Sequence, residues 1–301
     1  MQRQEISLIA FQNQFAKEED CQRHLFLLRW PNGYRCPRCN HDQAFFHRTR
    51  HLYQCKSCGY QASLTAGTIF HKTRMPLLKW FWMIFLMGRQ KSGVSMLSLQ
   101  RMLDIKSYKT VWVMGHKIRK AMQERDAYYK LAGLIEMDDA FFGPQKPGKR
   151  GRGACGKDKV VVAVQTNEQG AGFAKMQRVK EVSSGEILAV SHAMFDGRTT
   201  VRTDGWPAYR ALNGQQHQHA PVVVGSGKNA VRLLPFSHTL IANLKGSIRG
   251  VFHGVSSKHL PRYLAEFCFR FNRRFWESQM FERILAACVS STTITYSELT
   301  A

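Results

Sequence analysis

The chain has 301 residues, 44% of them hydrophobic, and carries 44 Lys and Arg against 21 Asp and Glu, a formal net charge of +23. That length suits one sizeable core plus a small module, and that charge argues against a purely small-molecule enzyme and points to nucleic acid as the counter-charge. No apolar run approaches the ~20 residues of a spanning helix and the N-terminus lacks the basic start and apolar core of a signal peptide, so the expected partner is no membrane and the expected location is the cytoplasm, associated with the nucleoid.

Along the chain, residues 6–28 set Phe11, Phe15, Leu25 and Leu28 at helical spacing around Glu18, Glu19 and Asp20, which predicts one or two short helices. Pro31 and Gly33 end that pattern. Residues 34–61 then hold Cys36-x2-Cys39 and Cys55-x2-Cys58, 15 residues apart. That is the spacing of a four-cysteine zinc site, in which each CxxC turn presents two thiolates to one tetrahedral ion. Four cysteines leave no open position, so the Zn2+ is expected to be structural, and a segment this small has no other evident source of stability. Cys21, Cys155, Cys268 and Cys288 have no partner at ligand spacing and read as buried or incidental thiols rather than as a disulfide framework. Arg35, Arg38, His41, Arg48, Arg50, His51 and Lys56 surround the cysteines. They give the ribbon a basic face for phosphates, with Arg38 and Lys56 as candidate DNA contacts.

Residues 76–122 are helical in pattern, very apolar over 80–87 and interrupted at Ser92 and Gly93. Leu97, Leu99, Met102 and Leu103, followed by Ile105, Val111, Val113 and Ile118, can pack a helix-turn-helix whose basic positions Lys106, Lys109, Lys117, Arg119 and Lys120 face a backbone or groove. A helical linker or dimerisation segment has a similar pattern. After Gly133 the rhythm changes to strands at 134–143, 160–165 and 173–182, the spacing of a meander. A helix at 184–195, a strand at 200–203, a helix at 208–212, a strand at 221–224 and helices at 237–248 and 258–282 follow. This order predicts a mixed α/β core from about residue 130.

The acids of the first strand carry the chemistry. Glu136, Asp138 and Asp139 stand inside an apolar run, where a charge is costly unless a partner or a metal compensates it. Alternation places Glu136 and Asp138 on one face and Asp139 on the other. Asp204 follows the strand at 200–203 and precedes Gly205-Trp206-Pro207. Alone it reads as a loop cap, but with Asp138 it can hold divalent cations for in-line attack at phosphorus, and Mg2+ or Mn2+ suits oxygen ligands. No Asp or Glu occurs between Asp204 and Glu266, so a third carboxylate shortly after the second is absent. Glu266 lies at helical spacing from Arg270 and reads as an ion pair.

In chain order, Leu28-Arg29-Trp30-Pro31-Asn32-Gly33 leads into Cys36-Pro37-Arg38-Cys39, followed by Glu136-Met137-Asp138-Asp139 with Phe142-Gly143 and then by Gly148-Lys149-Arg150-Gly151-Arg152-Gly153. Thr203-Asp204-Gly205-Trp206-Pro207-Ala208-Tyr209, Gly250-Val251-Phe252-His253-Gly254-Val255, His259-Leu260, Tyr263-Leu264, Glu266-Phe267 and Arg270-Phe271-Asn272-Arg273-Arg274 complete the series. With these motifs the chain resembles bacterial insertion-sequence transposases of the ISXO type, in the broad DDE superfamily. The resemblance implies an α/β, RNase H-like mixed-sheet core at 131–290, preceded by an N-terminal helical segment at 1–33, a zinc ribbon at 34–61 and a helical DNA-binding segment at 76–130, with a tail at 291–301. It implies an enzyme that binds element ends and target as double-stranded DNA, acts as a homo-oligomer, and cleaves and joins strands, with Asp138 and Asp204 matching the first two metal-binding acids.

Lys109, Lys149, Arg150 and Arg152 then become candidate DNA contacts beside those of the ribbon. At the third position transposases of this type use Asn or His. His238 precedes Lys245 by seven residues on one helix face, the placing of a DNA-contacting lysine after the third ligand. Asn243 offers a carbonyl oxygen, the harder donor, but stands two residues from Lys245 and faces away. Both stay open as candidates. A zinc-ribbon DNA-binding regulator explains the charge and cysteines but not the acids on the strand; the missing third carboxylate leaves room for an inactive derivative, and only the resemblance separates a transposase from a related RNase H-like nuclease that cuts without joining.

Overall fold

The computed structural model describes residues 6–143, 156–213, 217–222 and 232–301, so Lys149, Arg150 and Arg152 lie outside the described residues. Met1–Gln90, Met96–Arg125 and Trp276–Ala301 make one unit, and Lys91–Ser95 with Asp126–Phe275 the other. Among the described residues no helix is long and apolar enough to cross a membrane.

The first unit opens with α1 (Leu8–Gln14), capped by the Ser7 hydroxyl on the Ala10 N–H, and α2 (Glu18–Arg29), whose first turn carries Glu18, Glu19 and Asp20. Acids there complement the positive helix end. β1 (Ala44–His47), β2 (Leu52–Cys55) and β3 (Gln61–Ser63) form a small antiparallel sheet in chain order. Glu18 also accepts the N–H groups of Leu77 and Leu78 at 2.7 and 3.0 Å, which fixes the start of α3 (Leu77–Arg89). Trp80, Phe81, Met83, Ile84, Phe85 and Met87 are all buried, so α3 is apolar nearly all round, as a central helix must be. Phe11 stacks on Phe85 with centroids 4.1 Å apart and meets Phe281 of α9 (Met280–Ser290) edge-on at 4.9 Å. A Cβ on Gly88 would come within 2.9 Å of Met280, so glycine permits the approach of α3 and α9.

α4 (Met96–Met102) and α5 (Tyr108–Ala127) stand where the helix-turn-helix is expected. Leu99, Leu103, Ile105, Val111 and Ile118 are buried as expected, whereas Leu97 and Met102 are 48% and 53% exposed and Val113 is half-buried. The seven-residue α4 is too short to bury more than one face. Arg119 departs from expectation too: it lies on the stripe of Val111, Met114, Ile118 and Met122 and is fully buried, so it faces no groove. Lys120 is engaged by Glu124 and by the Thr292 carbonyl at 2.9 Å. α10 (Tyr296–Thr300) closes the chain behind a Thr295/Glu298 capping box.

The second unit is a five-stranded mixed sheet in the order β6-β5-β4-β7-β8, an RNase H-like arrangement. β4 (Leu131–Phe142), β5 (Asp158–Asn167) and β6 (Gly170–Val179) form the expected antiparallel meander, while β7 (Phe195–Thr203) runs parallel to β4 and β8 (His217–Pro221) parallel to β7. Val160, Val161, Val162, Ala163 and Val164 of β5 are all buried because both sheet faces are covered. One face packs Ile135, Met137 and Val201 on α6 (Ser184–Met194) and on the 3-10 helix Pro207–Leu212. The other packs Ala140, Phe142 and Val162 on α7 (Pro235–Gly250) and α8 (Leu260–Asn272).

Three expectations change here. The strand expected at 200–203 begins at Phe195, the last strand lies at His217–Pro221 rather than 221–224, and residues 223 and 224 lie outside the described residues. β8 escaped notice because an edge strand reading His217-Gln218-His219 carries little apolar signal. The single helix expected over 258–282 is two, α8 and α9, parted at the boundary between the units. At that break Asn272 pairs both ways with the Ala174 backbone, at 2.7 and 3.0 Å, and Arg273 grips Asp126 at 2.6 Å over the Phe269 ring. Glu266 and Arg270, both buried, form the expected ion pair at 3.5 Å.

Candidate active site and metal centre

The two knuckles of the ribbon are built alike. In the first, the Asn40 N–H returns to the Cys36 carbonyl at 2.9 Å with Asn40 at φ 60°; in the second, the Gly59 N–H returns to the Cys55 carbonyl at 3.1 Å with Gly59 at φ 67°. The left-handed residue turns the chain so that two thiols face inward, and glycine or asparagine tolerates it best. The Sγ atoms of Cys36, Cys39, Cys55 and Cys58 all lie within 4.8 Å of one another, with Cys36–Cys58 and Cys39–Cys55 at 3.6 Å. Zn–S bonds of about 2.3 Å in a tetrahedron require sulfurs about 3.8 Å apart, so the quartet fits a structural Zn2+. Desolvation pushes the Cys36 thiol up, but the N–H groups of Cys39 and Arg38 and the neighbouring thiols outweigh it and bring it down to about 6. Arg38 and Lys56, inside the two knuckles, are exposed, and Lys56 lies over Phe45 at 5.1 Å. Lys109, in the first turn of α5, is exposed and stands 3.6 Å from the Tyr296 ring centre.

In the second unit, alternation along β4 holds. Glu136 and Asp138 point toward α7, whereas Asp139 points toward the 3-10 helix, where Tyr209 Oη donates to its Oδ1 at 3.2 Å. β4 and β7 are parallel and pair as far as Glu136 level with Arg202; Asp138 lies two residues further along β4, and Asp204 is the first residue after β7. His238 meets both acids, with Nε2 3.8 Å from Asp138 and its imidazole within the field of Asp204, so the two carboxyl groups belong to one end of the sheet. Asp204 retains its loop-capping bond as well, accepting the Trp206 N–H at 3.0 Å.

α7 brings the third group. His238, in its first turns, places Nε2 3.8 Å from Asp138 Oδ2. Burial holds the His238 imidazole below the usual range, Asp204 opposes that and Lys245 reinforces it. Two turns on, Lys245 lies over the Phe142 ring at 5.8 Å; burial lowers it, Arg249 and Lys157 add to this, and Asp138 opposes them. Lys245 thus feels both Asp138 and the cations Arg249 and Lys157, so basic groups gather near Asp138 in a field suited to a polyanion. Asn243, by contrast, is exposed, five residues from His238 and so roughly 140° around the helix from it.

Two contacts have no local signal in the sequence. Glu136, 2% exposed, accepts the N–H groups of Phe236 and Ser237 at 2.9 and 3.0 Å, at the start of α7. Burial pushes its carboxyl up, while those two bonds and Arg202 oppose the shift. Tyr209, fully buried, is the other; the motif that begins at Thr203 ends on it, but nothing local says that it reaches Asp139.

Residues 130–272 match the ISXO2-like transposase domain, and residues 16–61 the transposase zinc-ribbon domain. Over 215 residues the chain is 26% identical to an uncharacterized protein in transposable element ISH50 of Halobacterium salinarum, an overlap of 66% of this chain and 71% of that protein. Among solved structures it is similar to the catalytic domain of Mos1 mariner transposase, at 12% identity and a TM-score of 0.31 over 61% of this chain and 95% of that one. It is also similar to the catalytic core domain of BIV integrase, at 14% identity and a TM-score of 0.28 over 46% and 81%.

Proposed function

The chain belongs to the ISXO2-like transposases of the DDE superfamily, and on that premise we propose that it binds the ends of its own insertion sequence and cuts and joins DNA strands there. The observation that supports this reading is His238 of α7 standing 3.8 Å from Asp138 and within the field of Asp204, which follows the parallel neighbour strand, with Lys245 on the same helix face. Asp138 and Asp204 would hold Mg2+ or Mn2+, for which two carboxylates are suitable oxygen donors. Bound there, such an ion would supply Lewis acidity for attack at phosphorus. His238 serves as the third active-site residue, since it is the candidate that meets Asp138. Lys245, with Lys157 and Arg249, holds the phosphate backbone near the cut. The segments at 1–33, 34–61 and 76–130 form the DNA-gripping part, with Arg38, Lys56 and Lys109 as contacts, and 131–290 the catalytic part. The protein works on DNA as a homo-oligomer.

The direct test incubates the purified protein with its flanking genomic DNA and Mg2+ or Mn2+ and looks for end cleavage and strand transfer. In the same assay His238→Ala loses at least the ~10–100-fold that even an outer-shell partner of a metal costs, whereas Asn243→Ala stays near wild type. The opposite ranking assigns the third position to Asn243.

DNA affinity falls steeply with salt, because Lys and Arg that neutralise phosphates release their counterions. A protein making about 6–10 phosphate contacts loses ~10³–10⁵-fold in affinity between about 50 and 200 mM salt. Binding isotherms across that range check this, and a flat response points to a different partner.

A further inference from the structure

We propose that Glu136 is a positioning residue: from β4 it clamps the first turn of α7 and so sets the distance between His238 and Asp138. The inference rests on the reading of Asp138 and His238 given above.

The geometry closes a short ring. Asp138 and Glu136 are two apart on one strand and share a face; Glu136 Oε2 accepts from Phe236 and Ser237; His238 is the next residue; and its Nε2 returns to within 3.8 Å of Asp138. The first N–H groups of any helix lack partners inside it, and they are usually met by a local Ser, Thr, Asp or Asn cap. Here the cap position is Leu234, which supplies no side-chain bond, and Pro235 has no N–H. The cap therefore comes from 100 residues away in sequence, out of the strand that carries the acid. A carboxylate also suits the positive end of the helix. A local cap would serve α7 equally well as a helix, but it would tie the first turn to nothing on the sheet. Leu240, Ile241 and Leu244 seat the body of α7 on the sheet, and the cap from β4 adds a polar tie at the turn next to His238, two residues along the strand from Asp138.

Glu136 is a structural clamp on this account and not a ligand, and substitutions separate the two roles. Glu136→Gln keeps the length and the acceptor oxygen but loses the charge. Glu136→Asp keeps the charge and loses the reach. Both are compared with Glu136→Ala, Asp138→Asn and wild type in steady-state cleavage of the flanking DNA, with KM for DNA, kcat and half-saturating Mg2+ recorded. The expected result is a kcat ~10–100-fold lower in Glu136→Ala and Glu136→Asp, with a higher Mg2+ requirement, an unchanged KM for DNA, and recovery of most of the loss in Glu136→Gln. Glu136→Gln as slow as Glu136→Asp overturns the clamp, because charge and not reach then matters. Glu136→Asp at the wild-type rate overturns it as well. If Glu136→Ala fails to fold, the Gln and Asp pair still decides. Asp138→Asn tells which idea has failed: its retaining cleavage removes the reading of Asp138 itself, whereas its inactivity beside a failed Gln rescue removes only the clamp.

Discussion

Asp138→Asn and Asp204→Asn each reduce strand cleavage by ~10³-fold or more, the upper range for loss of one transition-state contact, while DNA binding is retained. Asparagine has nearly the shape of aspartate, and its carbonyl still accepts the N–H groups that the two acids take now, from Asp139 at 2.8 Å and Trp206 at 3.0 Å. The fold of β4 and of the loop after β7 is therefore preserved. What disappears is one negative charge at a site where His238 feels Asp204 and Lys245 feels Asp138, Lys157 and Arg249. The sign of the two effects is opposite. Hold on a divalent cation drops, because half of the paired charge that attracts it is gone. Hold on a polyanion does not drop, since the site has become more positive. Matched cleavage and binding measurements on each variant separate these effects. Cleavage at the wild-type rate in either variant removes that aspartate from the mechanism, and in both it leaves the family's DNA binding without the proposed chemistry.

Removing the zinc unfolds the ribbon and weakens DNA binding. The sheet has strands of four, four and three residues, at the short end of the usual range, and depends on an apolar face for any stability of its own. The Trp30 and Tyr34 rings pack with Tyr53 of its central strand, with centroids 5.1 to 5.9 Å apart. That cluster is small against the metal term, which in four-ligand zinc modules is about 10–16 kcal/mol. Elemental analysis should give one zinc per chain. After chelation, hydrogen exchange at residues 44–63 should become fast while α3 and α9, whose core is independent of the knuckles, stay protected. A chelated protein with a slowly exchanging ribbon and unchanged DNA affinity would contradict the assignment.

The sequence makes these two sites legible for different reasons. Cysteine spacing is a covalent ruler, so the quartet is readable without any fold. Asp138 is readable because three acids on an apolar strand are costly without a compensating partner. The meander is readable because β5 is valine-rich and buried on both faces. The losses are equally physical. β8 is polar and sits at an edge. The apolar rhythm of α8 continues into α9, so nothing local marks where Asn272 and Arg273 stop the helix; their partners are at residues 174 and 126. Arg119 reads as surface because it is charged, although it lies on a buried stripe. The choice between His238 and Asn243 turns on which face of α7 meets β4, a relation between residues 100 apart that local pattern does not encode.

The first unit is stitched from three stretches of chain, and Phe11 near its beginning packs on Phe281 near its end. Its order of synthesis is therefore the reverse of its order of completion. While the ribosome is still translating, α1 and α3 have emerged but lack α9 to cover Phe11, Phe81 and Phe85, whereas Asp126–Phe275 is already a finished length of chain. Translation alone thus places a delay between the making of α1 and α3 and their final arrangement, and a message truncated before α9 yields a chain that holds Asp138, Asp204 and His238 yet cannot close its first core.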